Sequence, residues 1–285
     1  MIDGGAALAD RLRAAGCVFA EDEARLLLDH VVGTGPGRLE ELTARRVAGE
    51  PLEHLLGWVE MAGHRWSVGP GVFVPRRRTE LMVRTALDAL PEAAEVVVDL
   101  CCGCGAVGGA VLQGLRGRPD GGAPAPPSAR VALHASDVDP AAVAHARRNL
   151  APLGGTVHVG DLFDALPADL RGRIDVLLCH APYVPTAAIS QMPPEARVHE
   201  PVVALLGGAD GLDVLRRVVA AAPGWLRPGG SLLFEVGDDQ VAGALALVAA
   251  AGLAGRVVYD PDDDGPGGTV VVATAAGATA AGGRG

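Results

Sequence analysis

Three acidic residues, each closing an apolar run, and one short histidine motif are the parts of this chain suited to chemistry. The first acid, Asp99, ends the run in VVVDLCCGCGAVG (residues 96–108) and is followed by Cys101, Gly103 and Gly105 in a turn. Glycines there let the backbone bend sharply and approach a ligand without a Cβ in the way. The second, Asp137 in ASDVDP (135–140), stands where a strand ends, with Val138 beside it. An acid so placed can accept hydrogen bonds from both hydroxyls of a ribose. Read alone, Asp137 fits a surface turn equally well, and Asp139 before Pro140 suits a helix N-cap. The third, Asp161 in VGDLFD (159–164), can meet the amino group of an adenine, with Leu162 against the ring. The loop after Asp99 lacks the later glycines of a dinucleotide site and any Gly-Lys-Ser/Thr phosphate loop.

The histidine motif lies in IDVLLCHAPYVPT (174–186), where a fourth apolar run opens into a loop through His180, Ala181, Pro182 and Tyr183. In open α/β sheets ligands bind at such strand ends. Metal chemistry is not expected. Cys101, Cys102 and Cys104 are too crowded for the usual Cys-x₂₋₄-Cys ligand spacing and read more simply as small residues under the glycine turn.

The elements that must position these residues follow from periodicity. From residue 80 onward, helical stretches (79–90, 106–115, 140–151, 212–226, 240–252) alternate with short Val/Leu-rich strands (95–100, 130–137, 156–161, 174–182, 231–237). That alternation predicts a parallel sheet covered on both faces. A closing pair, 255–260 and 269–274, is joined by the acidic turn PDDDGPGG and predicts an antiparallel ribbon. Residues 1–60 read as a small helical unit, and 61–79 as a β-type connector with a Gly-Pro-Gly turn. The catalytic domain is assigned to 80–274, a Pro/Gly-rich insert to 116–130, and a disordered tail to 275–285.

Composition narrows the class. The 285 residues are 49% hydrophobic and 20% charged, as in ordinary globular proteins, and are enough for one large and one small core. A net charge of -10 and a pI near 5.2 disfavour nucleic acid as the main partner. The triplet Arg76-Arg77-Arg78 is the one local basic run, and a solvated loop explains it as well as a basic patch does. No apolar stretch approaches the ~20 residues of a membrane helix. The first residues lack the basic start and apolar run of a secretory signal. With no disulfide framework among the five cysteines, the chain reads as cytoplasmic, with reduced thiols.

Together, in this order and on these strand ends, the three acids match the layout of a class I S-adenosylmethionine-dependent methyltransferase. The His-Ala-Pro-Tyr motif resembles the Asn-Pro-Pro-Tyr motif of amino-group methyltransferases. MPPEARVHEPVVALLGGADGLDVLRR (192–217) is similar to the protein-(glutamine-N5) methyltransferase family, the HemK/PrmC type. AGEPLEHLLGWVEMAGHRWSVGPGVFVPRRRTELMV (48–83) resembles that family's connector, and WLRPGGSLLFEVGDDQ (225–240) completes a match over about residues 48–240. The resemblance implies a Rossmann-like, mostly parallel seven-stranded sheet with a small helical N-terminal domain. It also implies S-adenosylmethionine as methyl donor, S-adenosylhomocysteine as product, and a protein substrate such as the Gly-Gly-Gln loop of a peptide release factor. In the family, the Asn oxygen and a backbone carbonyl accept the two amide hydrogens of the substrate glutamine and so aim its nitrogen at the methyl group.

On that pattern the catalytic residues are His180, Ala181, Pro182 and Tyr183. The cofactor residues are Asp99, Cys101, Gly103, Gly105, Asp137, Val138, Asp161, Leu162 and His180. The substrate residues are Arg76, Pro182, Tyr183, Val184, Pro185, Glu195 and Arg197. An ion pair between Glu195 and Arg197 is an equal alternative for those two. The sequence departs from the family at His180 and Ala181, and where Arg77 and Arg78 replace its usual Pro-Glu. A neutral imidazole accepts through one nitrogen in one tautomer only, and its ring reaches further than Asn. Three readings of His180 follow: it replaces Asn toward the same amide, it serves a different amine as acceptor or base, or catalysis is lost. Beside the glutamine reading stand an N-methyltransferase acting on a nucleic-acid base and a catalytically silent binding protein. A monomer is expected.

Overall fold

A computed structural model describes residues 2–35, 37–116, 131–260 and 268–277. Apart from Arg116 and residues 275–277, the insert and the tail named above lie outside the described residues, as does the acidic turn up to residue 267.

Four helices come first: α1 (Ile2–Ala14), α2 (Ala20–His30), α3 (Arg38–Val47) and α4 (Leu52–Leu56). Their apolar faces converge on Leu12, Leu27 and Leu42, all fully buried, with Leu55 and Leu56 closing the cluster. This core is separate from those of the sheet. A hairpin follows, β1 (Trp58–Met61) and β2 (His64–Ser67). It begins inside the range expected to be helical, because Val59, Met61 and Trp66 belong to the core of the sheet while Trp58 packs on the helical cluster.

The remainder is one seven-stranded sheet made of β3 (Val96–Leu100), β4 (Ala132–Asp137), β5 (Thr156–Val159), β6 (Ile174–Cys179), β7 (Leu226–Val236), β8 (Ala254–Tyr259) and β9 (Thr269–Thr274). The order is β5-β4-β3-β6-β7-β9-β8; only β9 runs against its neighbours, and β8 pairs with it as the expected ribbon. The helices α5 (Glu80–Ala89), α6 (Ala106–Arg116), α7 (Pro140–Leu150), α8 (Pro194–His199), α9 (Asp213–Ala221) and α10 (Val241–Ala250) complete the chain.

Alternation along the central strands sorts side chains into two layers. Val97, Val176 and Leu178 face one layer, and Val96, Val98, Leu177 and Cys179 face the other. Both faces are covered, which is why β3 and β6 are buried throughout. The chain winds outward from β3 through β4 to β5, then returns to place β6 on the other side of β3. That reversal opens a crevice above the carboxyl ends of β3 and β6, where Leu100 and Cys179 stand in register.

Candidate active site

A cavity of about 380 Å³ fills this crevice, within the usual range for small-molecule sites. Its wall brings together Arg76, Asp99, Cys101, Gly103, Asp137, Val138, Asp161, Leu162, His180, Ala181, Pro182, Tyr183 and Val184. Residues expected from five separate segments of sequence thus share one space.

On the β3–β5 side, acids are held by backbone. Asp99 is buried; its Oδ2 accepts from Gly108 N–H at 2.9 Å, and its Oδ1 is buried without a partner. Burial outweighs that hydrogen bond and pushes the carboxyl up to about 7. An unpartnered carboxylate oxygen on a ligand cavity suits a cationic N–H donor, such as the α-ammonium of an amino acid. Asp137 accepts from Gly103 N–H at 2.8 Å and from Asp139 N–H at 2.9 Å. Burial raises its carboxyl as well. Asp139 caps α7 through Ala141 N–H, as its place before Pro140 suggested. The turn is tight enough that Cys101 takes a φ of 53° and Gly103 one of 54°. For Cys101, a residue with a Cβ, that conformation is strained, a condition common at ligand sites.

Gly105 does not line the cavity. Its φ is 78°, and a Cβ there would meet Leu150 at 3.0 Å, so it serves the close packing of the turn on α7. Asp161 reaches the cavity but is engaged by Arg217 at 2.6 and 3.2 Å, a partner unforeseen in the sequence.

On the β6–β7 side the site is built from side chains. Glu235, on β7, is 2% exposed. Its Oε1 accepts from Arg78 Nε and Tyr183 O–H, both at 2.9 Å, and its Oε2 accepts from Thr79 O–H at 2.9 Å. Arg78 also donates to Tyr183 Oη at 2.6 Å. His180 Nε2 lies 3.7 Å from Glu235 Oε2 and makes no hydrogen bond. Burial alone would raise the Glu235 carboxyl; His180 and Arg78 outweigh it and hold it well below the usual carboxylate range. Burial and the adjacent carboxylate together raise the Tyr183 phenol. The ring of Phe73 meets His180 edge-on at 5.5 Å, and Arg76 lies over Phe73 while donating to the buried Glu200 at 2.6 Å.

Three expected substrate residues lie off the cavity wall. Glu195 does not pair with Arg197. Its carboxylate meets Arg46 of α3 at 3.2 Å, because α8 packs toward the helical unit. Arg197 reaches only Ser190 O, at 3.5 Å. Pro185 precedes a 3₁₀ turn, Thr186–Gln191, and neither it nor the turn lines the cavity, which the chain meets again at Met192. Glu235, Arg78, Phe73 and Glu200 were missed. The available signal was an acid inside an apolar strand, SLLFEVG, since a buried charge requires partners.

No protein-family model matches the chain. Among curated proteins it is similar to the release factor glutamine methyltransferase of Streptomyces coelicolor, with 39% identity over 207 residues, 71% of this chain and 68% of that one. The enzyme of the same name from Cereibacter sphaeroides is 35% identical over 277 residues, 90% of this chain and 91% of that one. The chain is also similar to the 4-amino-L-phenylalanine/4-methylamino-L-phenylalanine methyltransferase of Streptomyces pristinaespiralis, with 34% identity over 251 residues, 82% of this chain and 81% of that one. Among solved structures, a methyltransferase from Pyrococcus furiosus aligns with a TM-score of 0.52 at 15% identity, covering 83% of this chain and 99% of that one. The hMettl16 catalytic domain aligns with a TM-score of 0.54 at 14% identity, covering 82% of each chain. At such identity these structures bear on fold alone, and the expected class I methyltransferase fold is the one observed.

Proposed function

Because the chain belongs to the release factor glutamine methyltransferase family, we propose that it methylates the side-chain amide of a protein glutamine, in a peptide release factor, with S-adenosylmethionine as donor. The observation that carries this reading is that the three strand-end acids and the His180–Tyr183 motif open onto one cavity. Asp99 fits the donor's ammonium group, Asp137 its ribose hydroxyls, and Leu162 with Asp161 its adenine. When bound, S-adenosylmethionine supplies an electrophilic methyl group: the acceptor nitrogen forms the new N–C bond, the C–S pair returns to sulfur, and a proton leaves the nitrogen.

An amide nitrogen is a weak nucleophile, so the protein's work is orientation and hydrogen-bond acceptance. His180 and the backbone carbonyl of Ala181 occupy the positions of the family's two acceptors. Tyr183, tied to Glu235 and Arg78, walls that end of the cavity. A net charge of -10 favours a protein acceptor over a nucleic acid. Free cysteines among the described residues fit a reducing compartment.

A second reading, an aromatic amine as acceptor, is favoured by one specific observation. A relative 34% identical to this chain bears the name of an enzyme for 4-amino-L-phenylalanine and its methylamino form. The test is incubation with methyl-labelled S-adenosylmethionine and, separately, release factor, its Gly-Gly-Gln→Gly-Gly-Ala variant, and 4-amino-L-phenylalanine. Label on release factor that disappears in the variant supports the proposal. Label only on the aromatic amine replaces it with the second reading, and no label despite donor binding points to a silent binding protein.

A further inference from the structure

Two of the departures from the family pattern, His180 and Arg78, meet at the same carboxylate. Arg78 and Tyr183 occupy Oε1 of Glu235, Thr79 occupies one side of Oε2, and the remaining side faces Nε2 of His180 at 3.7 Å. We propose that Glu235 is a positioning residue that fixes the His180 tautomer, keeping the proton on Nε2 and leaving Nδ1 bare as the acceptor for the substrate N–H. The inference rests on the methyltransferase reading of this site.

Covalent geometry gives the reason. In histidine Nδ1 is bonded to Cγ, as the side-chain oxygen is in asparagine, so Nδ1 stands at the same place along the side chain. Only Nε2 reaches further. His180 can therefore replace Asn as an acceptor without displacing the substrate, provided that Nδ1 carries no proton. Which nitrogen is protonated depends on what the other one faces. Among the described residues Nε2 is buried without a hydrogen bond, and it faces, at 3.7 Å, a carboxylate whose charge is met by the Arg78 guanidinium and by the hydroxyls of Thr79 and Tyr183. A lone pair on Nε2 would face that negative charge, whereas an N–H there is attracted to it. The separation of 3.7 Å is longer than a hydrogen bond, so the attraction acts through charge across a buried gap. During turnover Nδ1 accepts the proton that leaves the nitrogen and returns it to solvent.

The first test is ¹⁵N NMR of the histidine-labelled full chain, with the His180 resonances identified by their loss in His180→Asn. Protonated Nε2 with bare Nδ1 is expected, and the opposite tautomer overturns the proposal. The second is a double-mutant cycle using release factor as acceptor. Glu235→Gln is expected to lower kcat about tenfold with KM for S-adenosylmethionine unchanged. In the His180→Asn background, where no tautomer exists, the same change is expected to cost less than about twofold. An equal loss in both backgrounds means that Glu235 acts only as structural support, and the proposal fails. If release factor takes no label while the expected tautomer is present, the assignment of the acceptor fails and the tautomer assignment stands.

Discussion

The two ends of the cavity hold their carboxylates by different means. Toward β3–β5, Asp99 and Asp137 accept from backbone N–H groups of Gly108, Gly103 and Asp139, which lie 9, 34 and 2 residues away in sequence. Toward β6–β7, Glu235 is held by the side chains of Arg78, Thr79 and Tyr183, which lie 157, 156 and 52 residues away. A backbone amide is present whatever side chain a position carries, so the cofactor end depends on a turn being tight. The acceptor end depends on three particular side chains converging on one buried charge, and a buried carboxylate stripped of a partner is costly. The first end is therefore tolerant in sequence and fixed in chemistry. The second can be re-specified by a few substitutions, and the departures at His180 and Arg78 lie there.

That contrast breaks most sharply at Asp137. Asp137→Ala removes the charged acceptor for the ribose and should weaken S-adenosylmethionine binding about 1000-fold, read by isothermal titration calorimetry. Binding within tenfold of the native value would mean that the backbone alone makes this end. His180→Ala should lower kcat about 100-fold while leaving the dissociation constant of S-adenosylmethionine within about threefold. A large loss of donor affinity there would merge the two ends into one functional unit.

A smaller effect sharpens the chemistry of Asp99. With its carboxyl pushed up to about 7 by burial, Asp99 carries a proton at lower pH that a cationic ligand must displace. Donor affinity should therefore rise about tenfold as pH goes from roughly 5.5 to 7, a slope absent in Asp99→Asn. Calorimetry in two buffers of different ionisation enthalpy would detect the released proton. Smallest is Asp161→Ala, which removes an exposed carboxylate already shared with Arg217 and should cost about threefold in donor affinity. A loss comparable to that of Asp137→Ala would show that adenine displaces Arg217 rather than sharing the acid.

Sequence reasoning reached the fold, and picked out acids that share one cavity, because both are written in short-range patterns. Alternating Val/Leu runs and helices specify a sheet covered on both faces, and strand-end acids beside glycine turns appear as contiguous strings. The same reasoning expected Gly105 as a cofactor contact, whereas it lies off the cavity wall and packs on Leu150; a glycine needed for packing looks no different in sequence from one needed by a cofactor. It offered Glu195 either as a substrate residue or as the partner of Arg197, two residues away, while the structure pairs it with Arg46 on another part of the chain. For the triplet Arg76–Arg78 it weighed a solvated loop against a basic patch, whereas Arg76 and Arg78 each ends on a different buried acid, Glu200 or Glu235.

By itself, then, the sequence determined the order of strands and helices, the acids at the ends of β3 and β4, the acid just after β5, and the presence of His180 in a motif that elsewhere carries Asn. Those features depend on local periodicity and on residues adjacent in the chain. Tertiary structure alone decided that β6 returns beside β3, that this reversal opens the cavity, and that Arg78, Thr79 and Tyr183 converge on Glu235 beside His180. The reason is physical: a buried charge takes whatever partners the fold brings within about 3 Å, and separation along the chain leaves no trace in that distance.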